Sequence, residues 1–172
     1  MTDKLYNVLF LCTGNSARSI LAEAILNREG RGRFKACSAG SHPKGQVHPM
    51  ALETLDEMGF LTGGYRSKPW DELAVKGAPE LNFVFTVCDD AAGEVCPTWP
   101  GQPMTAHWGI EDPAAVEGDE DVQRRAFRAA FYALQRRIGL FLALPLESIG
   151  ELSLQARLRD IGKNADARQD AN

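Results

Sequence analysis

The chain has 172 residues, 44% hydrophobic and 24% charged, so it is long enough to bury the core of one compact domain. Its formal net charge of −4 offers no basic surface for nucleic acid or anionic lipid, and no apolar run approaches the ~20 residues that span a bilayer. The first residues lack the pattern of a signal peptide. We therefore expect a cytoplasmic protein without nucleic-acid or membrane partners.

Short apolar runs alternate with longer helix-forming segments along the chain. The short runs are typical of strands buried on both faces, and the longer ones place apolar residues on one helical face. The predicted strands are residues 6–11, 34–39, 81–87 and 104–108. The predicted helices are residues 19–28, 49–58, 119–144 and 146–161, with a short helix at 70–74. This alternation predicts an α/β fold with a parallel sheet, a single domain over residues 1–162 and a flexible tail at 163–172.

The four cysteines are Cys12, Cys37, Cys88 and Cys96. In a reducing compartment such thiols are catalytic, metal-binding or buried rather than paired in disulfides. No Cys-x-x-Cys spacing occurs and the three histidines are scattered, so no zinc site is predicted. Cys37 lies inside the second predicted strand and is interpreted as packing. Cys12 and Cys88 follow the first and third strands, so both thiols emerge at one edge of a parallel sheet if these strands are neighbours.

The eight residues after the first strand have the composition of an oxyanion-binding loop, here called the cradle loop. They are Cys12, Thr13, Gly14, Asn15, Ser16, Ala17, Arg18 and Ser19. Gly14 and Asn15 tolerate left-handed backbone angles, so successive N–H groups can face a tetrahedral anion at the start of a helix. Arg18 can donate to two anion oxygens. These groups favour a thiolate at Cys12 with a lowered pKa, to which Ser19 can donate a hydrogen bond.

Cys-x5-Arg alone also describes a buried cysteine beside a surface arginine, but the strand before it and the helix after it favour a nucleophile. Together with that strand, the cradle loop resembles the low-molecular-weight protein tyrosine phosphatase superfamily, and within it the arsenate reductase branch. Further matches, in the same order over about residues 5–145, are Ser38-Ala39-Gly40, Phe85-Thr86-Val87-Cys88-Asp89, Cys96-Pro97, His107-Trp108-Gly109 and Asp112-Pro113. The resemblance implies a flavodoxin-like three-layer sandwich with a four-stranded parallel sheet in the order 2-1-3-4.

Residues outside the shared loop favour the reductase branch. Ala17 stands where the phosphatases carry a second cysteine, and alanines follow Asp112-Pro113 where they carry aromatic residues. Cys88 and Cys96 supply thiols that a phosphatase does not need. We expect an arsenate reductase; a low-molecular-weight protein tyrosine phosphatase acting through a Cys12 phosphoenzyme is the alternative. A third reading is a non-catalytic anion-binding or redox-sensing module.

The resemblance also implies a role for each site residue. Arg18 holds arsenate, the Cys12 thiolate attacks arsenic, and Asp112 protonates the departing oxygen. Cys88 then attacks the Cys12 sulfur, and Cys96 takes Cys88 into a second disulfide. No bound cofactor is expected. An external thiol reductant is required, either thioredoxin, glutaredoxin with glutathione, or mycothiol, and phosphate or sulfate are expected to compete with arsenate.

Several of these residues have simpler interpretations. Cys88 can be a buried core thiol, and Asp112 can be a turn residue before Pro113. Cys96 lies slightly farther from Cys88 than three-cysteine relatives suggest. His42 and His48 are interpreted as loop and helix-start residues without chemistry.

Some relatives bind potassium near the counterparts of Asn15, Glu23 and Ser38. These three residues match, but the remaining ligand cannot be placed in the sequence. No metal ion is therefore predicted as a resident of the site.

Overall fold

The computed structural model describes residues 4–88 and 99–170 of the chain, with side chains as far as Lys163. Cys96, the predicted resolving thiol, lies outside the described residues. None of the helices described combines the length and apolarity that a bilayer crossing requires.

Four parallel strands form the central sheet in the order β2-β1-β3-β4, which confirms the expected order 2-1-3-4. The strands are β1 (Tyr6–Leu11), β2 (Phe34–Ala39), β3 (Phe83–Thr86) and β4 (Met104–His107). β1 and β3 are neighbours, and Leu11 at the end of β1 pairs with Ala39 of β2 and Thr86 of β3. The carboxyl ends of these three strands therefore lie side by side, and the loops that follow them meet at one edge.

The part of the chain that the structure describes contains four helices, which contribute to one hydrophobic cluster with the sheet. They are α1 (Arg18–Glu29), α2 (Pro49–Glu57), α3 (Glu120–Leu142) and α4 (Glu151–Asp170), with single 3-10 turns at Trp70–Leu73 and Pro113–Ala115. α3 begins where the Asp119 carboxylate accepts the Val122 N–H at 3.0 Å, as expected for an acidic N-cap.

α4 differs from its prediction at both ends. It begins at Glu151 rather than at residue 146, because the N–H groups of Ser148 and Ile149 close turns onto the Pro145 carbonyl. It continues past Ile161 to Asp170, so the predicted break before residue 163 is absent from the backbone. That residues 163–172 are flexible stays a prediction.

Alternate residues of β1 face two hydrophobic clusters, one on each side of the sheet. Phe10 lies in the larger cluster under the four helices, where Phe85 stacks on Trp108 with ring centroids 3.7 Å apart. The indole N–H of Trp108 donates to the Leu158 carbonyl at 2.9 Å, which ties α4 to the end of β4. Leu11 lies in the smaller cluster, which the 3-10 turn at Trp70–Leu73 covers on the opposite face.

Candidate active site

The two thiols meet at the carboxyl edge of the sheet. Cys12 follows β1 directly, and Cys88 follows β3 after one intervening residue, Val87. The Thr13 N–H donates to the Cys88 sulfur at 3.3 Å, and the Cys88 side chain is hydrogen-bonded to that of Cys12. Both cysteines are buried. Parallel pairing of β1 with β3 is what brings these residues together, as their positions after the strands suggested.

The neighbouring loop, residues 42–48, holds the cradle loop in its curled shape. The carbonyl oxygens of Thr13, Gly14 and Ser16 accept N–H groups from residues 42–48 at 3.0, 2.9 and 2.9 Å. Because these carbonyls face outward, the N–H groups of the same peptides point to the opposite side. The Gly14 N–H faces the Cys12 sulfur, whereas the Asn15 N–H closes a turn onto the Cys12 carbonyl at 3.3 Å. α1 begins immediately afterwards, so its positive N-terminal end adds to the same field.

Asn15 supports the sharpest turn of the cradle loop. It has a positive φ of 41° and is completely buried. Its side-chain amide donates to the Ser19 hydroxyl at 2.8 Å, and its amide oxygen accepts the Lys68 N–H at 2.8 Å. Asn is among the few residues that tolerate this backbone conformation. The Ser19 hydroxyl accepts from Asn15, which leaves its own proton to donate.

Arg18 and Asp112 face each other across the mouth of the cradle loop. One Arg18 amino group donates to the Ile110 carbonyl at 3.0 Å, and the other lies 3.6 Å from the Asp112 carboxylate. The second Asp112 oxygen accepts the Ala114 N–H at 3.0 Å, at the start of the 3-10 turn. Asp112 is thus both a turn residue and a carboxylate at the site, and the two interpretations are compatible.

A cavity of about 210 Å³ opens above Cys12. Its lining residues are Cys12, Thr13, Gly14, Ser16, Ala17, Arg18, His42, Lys44, Asp112 and Ala114. His42 and Lys44 were not among the predicted site residues. Their position in the sequence could have indicated this, because both residues lie in the loop after β2, and β2 ends at the same edge of the sheet as β1.

The ionisation of Cys12 differs from the lowered pKa expected of the cradle loop. Contact with the Cys88 sulfur and burial raise the pKa of Cys12, whereas the Arg18 guanidinium and the Gly14 N–H lower it. Two thiols in direct contact titrate as a pair, so the loss of one proton opposes the loss of the other. A charge on the Cys88 sulfur therefore opposes formation of the Cys12 thiolate.

Cys37 lies away from this site, inside β2, where its thiol contacts the Val8 carbonyl at 3.5 Å. In the described part of the chain, no three side chains of the His, Cys, Asp or Glu types cluster as a metal site would need. Of the three cysteines that the structure describes, Cys12 and Cys88 lie at the cradle loop.

The geometry agrees with comparisons to known proteins. Residues 7–151 match the family model of low molecular weight phosphotyrosine protein phosphatases. An arsenate reductase of Halalkalibacterium halodurans is 34% identical over 134 residues, which are 78% of this chain and 93% of that protein.

Two solved structures share the fold. An arsenate reductase in a phosphate-binding state superposes with a TM-score of 0.64 at 26% identity, over 80% of this chain and 97% of that one. A thioredoxin-dependent arsenate reductase of Corynebacterium glutamicum superposes with a TM-score of 0.54 at 26% identity, over 82% of this chain and 65% of that one. The chain therefore belongs to the low molecular weight phosphotyrosine protein phosphatase family, and its similar relatives in that family include arsenate reductases.

Proposed function

We propose that this chain reduces arsenate to arsenite, with Cys12 as nucleophile and Cys88 as the second thiol. The observation that carries the proposal is the Cys88 sulfur, held 3.3 Å from the Thr13 N–H and hydrogen-bonded to Cys12. Hydrolysis of a phosphate ester needs no thiol at this point, whereas reduction of arsenic(V) to arsenic(III) needs two electrons. A pair of thiols that closes to a disulfide supplies both.

Arsenate binding uses the cavity above Cys12. The Arg18 guanidinium and the inward N–H groups hold the oxygens, with His42 and Lys44 at the rim. Phosphate and sulfate are tetrahedral oxyanions of the same kind and are expected to compete for this cavity. The phosphate-binding state of a similar arsenate reductase supports this expectation.

The chemical step transfers two electrons from sulfur to arsenic. The Cys12 thiolate attacks arsenic while Asp112 protonates a departing oxygen, which leaves as water. The Cys88 thiolate then attacks the Cys12 sulfur. The electron pair of the sulfur–arsenic bond passes to arsenic, so arsenite leaves as a Cys12–Cys88 disulfide forms.

Contact between the two thiols suits this sequence of attacks. Cys12 attacks as the thiolate while Cys88 is neutral, because a charge on one sulfur opposes a charge on the other. Once the Cys12 sulfur is bonded to arsenic, that opposition ends and Cys88 can ionise in turn. The Thr13 N–H, 3.3 Å from the Cys88 sulfur, then stabilises the new thiolate.

Regeneration requires an external thiol reductant, and Cys96 is the proposed resolving thiol. The candidates are thioredoxin, glutaredoxin with glutathione, and mycothiol. Thioredoxin is the first to test, because the similar Corynebacterium glutamicum enzyme is thioredoxin-dependent. A disulfide that must be reduced in every turnover fits the reducing cytoplasm, where we place the protein.

The test is arsenate-dependent NADPH oxidation by wild type, Cys88→Ser and Cys37→Ser, with the three reductant systems in parallel. We expect Cys88→Ser to fall to the rate without enzyme, because the arsenic adduct on Cys12 cannot be resolved. Cys37→Ser removes a thiol outside the site and should keep turnover. Full turnover by Cys88→Ser would disprove the thiol pair. If the Cys88→Ser variant still hydrolyses an aryl phosphate, the phosphatase interpretation is favoured. If wild type turns over neither arsenate nor the aryl phosphate, the non-catalytic anion-binding module is favoured.

A further inference from the structure

A nearly buried ion pair lies beside the cradle loop. The Lys68 ammonium is 3.9 Å from one carboxylate oxygen of Glu23, with side chains only 11% and 12% exposed. The Ser38 hydroxyl donates to the same oxygen at 3.0 Å. Glu23 belongs to α1 and Ser38 to β2, so the pair links a helix and a strand that flank the cradle loop.

Lys68 also contacts the cradle loop through its backbone. Its N–H donates to the Asn15 amide oxygen at 2.8 Å, and its carbonyl accepts the Gly40 N–H at 3.0 Å. Asn15 in turn donates to Ser19. A single residue therefore supports the positive-φ turn with its main chain and neutralises Glu23 with its side chain.

This arrangement does not fit a resident potassium ion at Asn15, Glu23 and Ser38. The Asn15 amide oxygen already accepts an N–H group, and the Glu23 carboxylate already faces a cation. A second positive charge beside the Lys68 ammonium would be repelled at short range with little water to screen it. Burial raises the pKa of Glu23, and the Lys68 ammonium is the strongest of the influences that oppose this shift.

We propose that Lys68 is a positioning residue whose ammonium is an internal cation for the cradle loop, so that oxyanion binding does not depend on potassium. Without the ammonium, Glu23 would be an uncompensated charge close to the loop, which is costly in a buried position. That charge would also oppose an anion bound in the cavity. The proposal concerns binding and stability and does not require arsenate turnover, so it can fail or succeed separately from the proposed function.

The experiment measures thermal stability and inorganic phosphate affinity in sodium and potassium buffers of equal ionic strength. The variants are Lys68→Ala, Lys68→Arg and, as a matched control, Lys76→Ala, which removes an exposed lysine. Wild type and Lys76→Ala should give the same melting temperature and phosphate Kd in both buffers. Lys68→Ala should melt lower by about 5 °C or more and bind phosphate more weakly in sodium. Potassium should restore part of both losses, and Lys68→Arg should retain both properties.

Two results would overturn the proposal. One is a wild-type protein that potassium stabilises over sodium, which would mean that the cation comes from solution. The other concerns Lys68→Ala. Its phosphate affinity would either equal that of wild type, or be weaker in sodium and show no recovery in potassium. If Lys68→Ala does not fold, the Glu23→Gln, Lys68→Ala double variant removes both charges and should recover stability. The wild-type comparison between the two buffers remains decisive in either case.

Discussion

Lys44 adds a second cation to an oxyanion site that already contains Arg18. Its side chain packs over Gly14, with the Cε atom 3.3 Å from the position that a Cβ on Gly14 would take. It also lines the cavity above Cys12. A side chain larger than hydrogen at position 14 would press against Lys44, so the glycine and the lysine depend on each other.

Replacing Lys44 by glutamine should raise the KM for arsenate about tenfold, because a charge-assisted contact to the anion is lost. We expect kcat to change little, because a positive charge beside the cavity would attract the substrate and the transition state equally. Steady-state kinetics measure both constants, with Lys76→Gln as the control. An unchanged KM would mean that Lys44 only packs against the loop.

Asp112 offers a second test at the scale of one residue. Asp112→Asn keeps an oxygen to accept the Ala114 N–H but removes the acidic proton donor. We expect kcat to fall by ~10²–10⁴, the usual contribution of a general acid, with an almost unchanged melting temperature. If Asp112→Asn instead unfolds at a lower temperature, and the smaller folded fraction explains the lower rate, then Asp112 is a turn residue alone.

At the scale of secondary-structure elements, the segment after β2 packs directly against the cradle loop. Gly40 follows β2, and a Cβ on it would collide with the carbonyl oxygens of Cys12 and Thr13. Its N–H and carbonyl also pair with Lys68 and Trp70, which extends the sheet edge beneath the loop. Only glycine allows the two segments to approach in this way.

Gly40→Ala should therefore push the cradle loop out of shape, lower the melting temperature and weaken phosphate binding. Gly139→Ala is the matched control, because a Cβ at this position in α3 meets nothing within 4 Å. Alanine in the helix should stabilise the protein by about 0.5–1 kcal/mol and leave binding intact. Calorimetric unfolding and phosphate titration measure both effects, and normal phosphate affinity in Gly40→Ala would refute the steric argument.

At the scale of the whole molecule, the partly buried thiol of Cys37 limits stability in alkali. Burial raises the pKa of Cys37 from its ordinary value of 9.0 to about 11. The folded state thus holds this proton more tightly than the unfolded chain does. The resulting stabilisation is complete below pH 9 and is lost as the pH rises toward 11.

The free energy of unfolding of wild type should therefore fall between pH 9 and 11 by roughly 2 kcal/mol more than that of Cys37→Ala. Urea denaturation at fixed ionic strength measures the difference across this range. Both proteins contain the same tyrosines and lysines, so the contributions of these residues cancel in the difference between the two free energies of unfolding. Parallel curves for the two proteins would show that Cys37 ionises at its ordinary pKa in the fold.

Local patterns sufficed for most of the architecture. Short, mostly apolar runs placed β1 and β2 to the residue. β1 is buried along almost its whole length, whereas β2 is an edge strand that exposes Lys35. The start of α3 was predicted from its acidic first turn, since capping and dipole effects act within a few residues. α4 was placed less well, because its limits depend on turns after Pro145 and on packing against Trp108.

The sequence by itself determined the cradle loop with Cys12 and Arg18, because neighbouring residues specify it. Its ordered motifs carried the family resemblance, and that resemblance implied the strand order. Only the tertiary structure decided what surrounds the loop. Lys44 reaches the cavity, and Lys68 reaches Glu23, through contacts between segments far apart in the chain. The ionisation of Cys12 was likewise decided by Cys88, which arrives from another strand. Charges and pKa values depend on distance in space, which spacing along a chain does not specify.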